Sequence, residues 1–375
     1  MQYAVRAQQK NTMATHFRTL QVEDIRQETA DCVSVAFTIP PAYQEEFRYH
    51  QGQNITIKAR IGDEEIRRSY SICSSPLENE LRIAVKKVPG GLFSTFMNDQ
   101  LQKGATLEVL PPTGKFYTEL DPLHQKRYLA FAAGSGITPI LSLMKAILTT
   151  EPHSHFTLIY GNRHRPSIIF REQLESLKNR YMNRLSVHHI LSREKVDMPL
   201  NQGRIDLQKC EELSKRLIDP GSTDEIFICG PGEMIFTIKD WLEQKGIDKK
   251  KIHFELFQTQ GTKTGPVRER AVDATMTPHT GKVSHVTIKS DGTSYDFHLP
   301  FDGDPILDAA LQEGVDLPFA CKGGVCCTCR ARLVEGAVDM EVNYALEAEE
   351  LAAGFILTCQ SHPRTERVVV DFDTK

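Results

Sequence analysis

The chain of 375 residues has no apolar run near the roughly 18 residues a membrane helix needs, so no membrane span is expected. Its opening stretch, MQYAVRAQQKNTMATHF, lacks the apolar centre of a secretion signal, and a cytoplasmic location is expected. Low-complexity tracts and internal repeats are missing, as composition and order along the chain both show. A basic excess is missing too: 45 Lys and Arg face 49 Asp and Glu, a net of −4. Nucleic acid is therefore not an expected partner. No Ser-His-Asp set and no His/carboxylate metal set stands out, so neither covalent nucleophilic nor hydrolytic chemistry is expected. The nine cysteines are an odd number in a chain expected to stay in a reducing compartment, which argues against structural disulfides.

What is present falls into three stretches. From His16 to about Tyr117, short apolar or alternating runs such as CVSVAFTIP, NITIKARI and LRIAVKKV predict six strands of a small antiparallel barrel. Gly62-Asp63 suits a hairpin turn, and one helix is expected near Leu92–Leu101. From Arg127 to Phe257 strands alternate with helices, as in RYLAFAA followed by ITPILSLMKAILTT. That alternation predicts a doubly wound parallel sheet. A hairpin (Val283–Leu299), a helix (about Pro305–Glu313), a cysteine-rich loop and a final strand, RVVVDFD, follow. The expected divisions are a loose tail at 1–13, a barrel at 14–120, an α/β domain at 121–257, a polar linker at 258–280 and a third domain at 281–375. The third domain carries 8 Lys and Arg against 16 Asp and Glu, a net of −8, so the first 280 residues carry +4. An acidic domain of this kind suits docking onto a basic protein surface.

Four of the nine cysteines crowd into CKGGVCCTC. The spacing is Cys321-x4-Cys326-x2-Cys329, with Cys359 after 29 more residues. Four thiolates, three from one tight loop, suit a [2Fe–2S] cluster. Gly323, Gly324 and Thr328 are small enough for backbone N–H groups to approach the sulfurs. Zinc or a bare dithiol is the alternative, but zinc sites pair one CxxC with a second pair, and none is present. Cys327 is surplus to the pattern and is expected to fill space; Cys32, Cys73 and Cys210 are expected to pack in cores. Residues 281–375 resemble a plant-type ferredoxin domain, which implies an α+β β-grasp fold with Cys321, Cys326, Cys329 and Cys359 as ligands.

Upstream, RRSYS places Arg68, Ser69, Tyr70 and Ser71 on one strand, and VKKVPGGLFSTF opens a helix through Gly90-Gly91 with Ser94 in its first turn. A glycine-rich helix start binds phosphate through open N–H groups, arginine adds charge-assisted hydrogen bonds, and tyrosine can stack on a flat ring. AAGSGITPI gives Gly134, Ser135, Gly136, Thr138 and Pro139 a strand-to-helix turn suited to a second phosphate site. YGNR (with Gly161, Asn162 and Arg163) and CGPGEM (with Cys229, Gly230 and Pro231) follow in order. This series resembles the ferredoxin–NADP reductase superfamily. The resemblance implies FAD on the barrel, with Arg68 on the pyrophosphate, Tyr70 against the isoalloxazine and Ser71 near its N5. Ser69, Val85, Lys86, Gly91, Phe93, Ser94 and Phe257 complete the expected flavin set. It also implies a nicotinamide nucleotide on the parallel sheet, with Cys229 and Glu255 beside the reacting rings. Cys229 could equally be a small buried thiol, and FELF (Phe254–Phe257) an ordinary last strand. LSRE offers Ser192 and Arg193 to a 2′-phosphate, with Arg163 and Arg165 nearby, so NADPH is expected over NADH. His188 and His189 are expected to be structural.

In series the three modules form one route, because a nicotinamide gives two electrons, a [2Fe–2S] cluster carries one, and a flavin handles both. Their order resembles the reductase components of bacterial multicomponent oxygenases. The stretches DLPFACKGGVC and EVNYALEAEELAAGFILTCQ strengthen the likeness toward the reductase subunits of phenylacetyl-CoA epoxidases. That implies an electron acceptor with a di-iron centre, docked through the acidic domain. Reductases for Rieske oxygenases, other monooxygenases or hybrid-cluster proteins share the modules and remain alternatives, as does a non-enzymatic zinc or flavin scaffold.

Overall fold

The computed structural model describes residues 16–257 and 281–374. The expected tail at 1–13 and linker at 258–280 lie outside the described residues. Two compact units result, one from residue 17 through 257 and one comprising residues 281–374. Among the described residues no helix is long and apolar enough to cross a membrane.

The first unit starts with β1 (Arg18–Thr29), β2 (Cys32–Thr38), β3 (Asn54–Ile61), β4 (Glu64–Ser71), β5 (Leu81–Lys86), α1 (Leu92–Asp99) and β6 (Thr106–Val109). Gly62 takes the φ of +63° that the tight turn between β3 and β4 demands. The strands run antiparallel in the order β4-β3-β6-β1-β2-β5, and a bridge from Ile72 to Ile83 joins the two outer strands. That closure removes the free edges a six-stranded sheet would otherwise present. Alternate residues fill the barrel: Leu20 and Val22 from β1, Val33 and Val35 from β2, Ile55 and Ile57 from β3. The helix α1 stops two residues before the expected Leu101, because the N–H groups of Gln100 and Leu101 both turn onto the Phe96 carbonyl.

The chain continues as β7 (Arg127–Ala133), α2 (Ile137–Thr150), β8 (His155–Asn162), α3 (Arg171–Arg180), β9 (Leu185–Leu191), α4 (Leu207–Arg216), β10 (Glu225–Gly230), α5 (Gly232–Gln244) and β11 (Ile252–Leu256). The sheet is parallel, in the order β11-β10-β7-β8-β9. The order reverses between β7 and β10, and ligands of such sheets bind at that switch, beyond the carboxyl ends of the strands. Twelve of the fourteen residues of α2 are buried, because the helix is wedged between this sheet and the barrel. An all-round apolar helix such as ITPILSLMKAIL is what that position requires. Ser142 of α2 donates to the Ser74 carbonyl at 2.6 Å, and Lys145 pairs with Glu78 at 3.0 Å. Phe116 meets Phe227 edge to face at 5.4 Å. Barrel and parallel sheet thus share one apolar cluster, which is why they pack as one compact unit.

The second unit holds β12 (Val283–Ser290), β13 (Thr293–Pro300), α6 (Ile306–Gln312), β14 (Arg330–Glu335), β15 (Val338–Met340), α7 (Ala348–Ala352), β16 (Phe355–Leu357), β17 (Ser361–Pro363) and β18 (Arg367–Asp371). Its main sheet runs β13-β12-β18-β14-β16, with β12 and β18 parallel and the rest antiparallel. Ile306, Leu307 and Ala310 of α6 pack on Val286, Ile288 and Val370, the β-grasp arrangement. The cysteine loop lies between α6 and β14.

Candidate functional site

The helix α1 begins at Gly91 with no side chain bonded to its first turn, so the N–H groups there stay open to an anion. A Cβ at Gly91 would lie 2.7 Å from the Ser94 hydroxyl and 3.2 Å from the Val88 carbonyl, so a larger residue would have to displace the Ser94 side chain. The Ser94 hydroxyl is itself occupied, accepting from the Val88 N–H at 3.0 Å and donating to the Gly91 carbonyl at 3.2 Å. It shapes the turn, and the backbone is left to meet a phosphate. On β4, Arg68 and Tyr70 are half-buried, and the Tyr70 ring lies 5.9 Å from that of Phe93. Burial pushes the Tyr70 phenol above its ordinary range, so it stays neutral. Val85 and Phe93 sit in the barrel core, where they set shape and offer no side-chain polar contact. Lys86 reaches Asp31 at 3.6 Å, and Ser69 shares a hydroxyl bond with Thr56 at 3.0 Å.

The barrel and the parallel sheet meet at Glu255. Its carboxylate accepts from the Ser71 hydroxyl at 2.7 Å and from the Asn54 side-chain amide at 3.5 Å. Burial holds this carboxyl up at about 7, against the downward pull of the two hydrogen bonds. Cys229 sits opposite Glu255 in the β10–β11 ladder and is fully enclosed. Burial, and then the charge of Glu255, raise its thiol well above the ordinary range, so it is a neutral thiol and not a nucleophile. Phe257, by contrast, is exposed at the end of the strand. Asn54 had no sequence signal: it opens an ordinary strand, NITIK, and only the fold brings it to Glu255.

At the switch point, Gly134 takes φ +55°, and the buried Tyr160 donates to its carbonyl at 2.9 Å. Thr138 donates to the Ser135 carbonyl at 3.0 Å, and Pro139 is buried behind it. A Cβ on Gly136 would stand 2.2 Å from the Cys229 carbonyl oxygen, and one on Gly230 would stand 2.7 Å from Met234 Cε and 3.1 Å from Ala133 Cβ. Two glycine turns therefore pass close together with Pro231 leading into α5. Gly136→Ala drives a methyl into backbone. We expect it to destabilise the fold by about 1–3 kcal/mol or more and to weaken nucleotide binding. Urea unfolding and a nucleotide titration check both.

At the neighbouring strand ends, the Ser192 N–H donates to the Asn162 carbonyl and the Arg193 N–H to the Arg163 carbonyl, at 2.9 and 2.8 Å. Gly161 is backed by Ile205, which a Cβ would approach to 3.2 Å. Ser192, Arg193 and Arg163 are exposed side by side, while Arg165 is engaged by Glu194 at 3.2 Å. His189 is half-buried against Tyr160, and desolvation there lowers its imidazole to about 4; partial burial lowers His188 too. Both are neutral parts of the packing.

In the second unit the four cysteines converge. The sulfurs of Cys321 and Cys326 are 3.1 Å apart, and the Gly323 N–H donates to Cys321 at 3.3 Å. Hydrogen bonds from Cys326 and Cys359, then from the Gly323 and Val325 N–H groups, push the Cys321 thiol down. The Cys359 thiol is pushed up by its bonds to Cys321 and Cys329. A chain of contacts thus links Cys326, Cys321, Cys359 and Cys329. Among the described residues no group of three or more His, Cys, Asp and Glu is spaced around a single ion. A two-iron cluster asks for something else, two thiolates on each iron, and this set fits it. The surplus Cys327 turns away to the Ala345 carbonyl at 3.4 Å. Sequence reasoning missed the braces around the loop: Thr358 donates to the Cys329 carbonyl at 2.9 Å, and Arg330 meets the buried Glu350 at 2.5 Å.

Three family models match in the same order: an oxidoreductase FAD-binding domain at 19–117, an oxidoreductase NAD-binding domain at 131–240 and a 2Fe-2S iron-sulfur cluster binding domain at 288–364. The chain is 45% identical over 361 residues to a subunit of the 1,2-phenylacetyl-CoA epoxidase of Escherichia coli strain K12, covering 96% of this chain and 99% of that protein. It is 33% identical over 358 residues to the ferredoxin reductase component of 3-ketosteroid-9-alpha-monooxygenase from Rhodococcus rhodochrous, covering 94% and 96%. The solved structure of phthalate dioxygenase reductase has the same fold, with a TM-score of 0.55 at 22% identity over 95% of this chain and 98% of that one.

Proposed function

Because this chain belongs to the family of oxygenase reductase components that join FAD-binding, NAD-binding and [2Fe–2S] domains, we propose that it takes its electrons from NADPH and delivers them to the di-iron oxygenase of a phenylacetyl-CoA epoxidase. The likeness to the Escherichia coli epoxidase protein along its whole length carries the choice of acceptor. When bound, FAD would accept one hydride, two electrons together, and a [2Fe–2S] cluster would carry those electrons on one at a time. The protein's residues do the placing. The open first turn of α1 and Arg68 would hold the flavin phosphates, and Tyr70 would give the ring system a flat partner. Ser71, held by Glu255, would offer a hydroxyl at the ring edge, where a proton leaves once the reduced flavin has given up its electrons. The glycine turns at Gly134–Gly136 and Gly230 let the nicotinamide nucleotide approach the backbone closely.

For the 2′-phosphate, Arg193 and Arg163 supply two exposed guanidinium groups on adjacent strand ends, and the Ser192 hydroxyl would have to turn from the Asn162 carbonyl, to which it donates at 3.3 Å. A charge-assisted bond contributes about 1.5–3 kcal/mol, so Arg193→Ala should raise the KM for NADPH roughly tenfold to a hundredfold. The KM for NADH should stay within about twofold, since NADH has no 2′-phosphate to lose. Cytochrome c reduction with each nucleotide checks this. An unchanged preference for NADPH over NADH in the variant would remove the assignment.

The acceptor is tested by mixing the reduced protein with the purified oxygenase component and following NADPH-dependent oxygenation of phenylacetyl-CoA. Transfer should slow as salt rises, because the acidic third domain, at −8, is the docking surface we assign. Faster reduction of a Rieske oxygenase or a hybrid-cluster protein under the same conditions would exclude the epoxidase.

A further inference from the structure

Gln360 follows the ligand Cys359 and is nearly enclosed, at 8% exposure. A buried glutamine needs partners for its amide. Its Nε2 donates to the Lys322 carbonyl at 3.1 Å, to the Cys359 carbonyl at 2.8 Å, and lies 3.6 Å from the Cys359 sulfur. The orientation of the amide is fixed by these neighbours, because turning it over would set Oε1 against two carbonyl oxygens. One N–H is used on Lys322, and the other is shared between the Cys359 carbonyl and its sulfur.

The backbone under this amide is unusual. Lys322, next to the ligand Cys321, is in the left-handed region at φ +50°, a conformation that side chains other than Gly, Asn and Asp rarely adopt. Gly324 is at φ +72°, and a Cβ there would stand 2.8 Å from the Val342 carbonyl and 3.2 Å from Gln360 Cγ. The stem of Gln360 therefore fills the space beneath the ligand loop, and its amide takes up the carbonyl that the Lys322 twist turns inward. Lys322 is held from its other end by Asp308 at 2.5 Å.

We propose that Gln360 is a positioning residue for the iron–sulfur cluster, which ties the Cys321 side of the site to Cys359 and tunes the potential through an N–H···S bond to the Cys359 thiolate. The proposal rests on the assignment of Cys321, Cys326, Cys329 and Cys359 as ligands. An N–H aimed at a ligand sulfur stabilises the extra negative charge of the reduced cluster, so it raises the reduction potential. A tie between two ligand segments slows their separation when iron leaves.

The test uses full-length protein purified with its cofactors. Gln360→Met keeps the length and apolar stem and removes both N–H donors. It should bind two irons per chain, show a lower cluster midpoint in a dye-mediated titration followed by EPR, and lose iron to a chelator roughly tenfold faster. The flavin midpoint should not move. A cluster midpoint and an iron-release rate both equal to wild type would overturn the proposal. If the variant cannot be isolated, wild-type protein labelled with 15N at the glutamine amide decides. Pulsed EPR of its reduced cluster should show a 15N coupling, and its absence overturns the N–H···S bond. Iron and sulfide contents of the wild type, measured first, check the ligand set separately: two of each with no amide coupling removes only the role of Gln360.

Discussion

Replacing Cys359 by serine should abolish electron delivery to an outside protein acceptor while leaving NAD(P)H-dependent ferricyanide reduction within about twofold of wild type. The two activities separate because the flavin and nucleotide sites lie in one compact unit and the cluster ligands in another. Ferricyanide takes electrons from a flavin directly, whereas cytochrome c and an oxygenase are served through the cluster. In the ligand set we propose, Cys359 is the residue on which the site closes. Three cysteines come from one loop, but Cys359 comes from the segment after β16, buried at 2% exposure, and its sulfur meets both Cys321 and Cys329. Serine brings a harder, less acidic oxygen donor to a soft site. Losses around metal sites run from about tenfold to a hundredfold even for outer partners, so losing a ligand should cost at least about a hundredfold in cytochrome c reduction. Iron should fall below two per chain. Cys327→Ser is the control: its thiol faces the Ala345 carbonyl, and cluster content and both activities should stay at wild-type levels. A brown Cys359→Ser protein with full cytochrome c activity would instead make Cys327 a ligand.

The parts legible in the sequence are those where local chemistry and local chain geometry coincide. The barrel strands alternate, the parallel strands sit before helices, and Gly136 marks a turn where a Cβ would strike backbone. The cysteine spacing is legible for the same reason, since three ligands must come from one short loop. What stayed hidden depends on long-range approach. Asn54 and Glu255 are 201 residues apart, and nothing in NITIK marks the asparagine as facing a carboxylate. Arg330 and Glu350 read as two surface charges in a charged chain, yet they meet across the cluster loop. The helix-start pattern points Ser94 at a phosphate, but its hydroxyl is within reach of its own turn and is used there. The change from a run of strands to alternating strands and helices is legible in the sequence; the wedge of α2 between barrel and parallel sheet, carrying Ser142 and Lys145, is not.

Glu255→Gln should leave the fold intact, raise stability in mildly alkaline solution and flatten the pH dependence of electron delivery from the flavin. The carboxyl is raised to about 7 by burial, above the roughly 4.3 of an unfolded chain. A carboxyl with a raised folded value prefers the neutral form in the folded state. Its contribution is therefore fully present below about pH 4.3 and is lost as pH rises toward 7, because the folded protein must then hold a buried charge. Glutamine never charges. The variant should match wild type near pH 4.5 and exceed it by up to about 3 kcal/mol at pH 8.5, read as a higher Tm in calorimetry of the FAD-loaded proteins. Activity should move the opposite way. The carboxylate holds the Ser71 hydroxyl at 2.7 Å, and a group that titrates near neutrality can both take and return the serine proton. Glutamine keeps a partner for Ser71 but cannot exchange that proton. The hydride step itself moves no separate proton, but the N5 proton must leave as a reduced flavin gives up its two electrons; positioned proton transfer contributes roughly a hundredfold to ten-thousandfold, so cytochrome c reduction should slow by at least the lower figure and lose its inflection near pH 7. Ser71→Ala should show the same loss of rate without the gain in alkaline stability, since it leaves Glu255 buried with one donor fewer. A Glu255→Gln enzyme with wild-type rates and an unchanged pH profile would return Glu255 to the packing of the last strand.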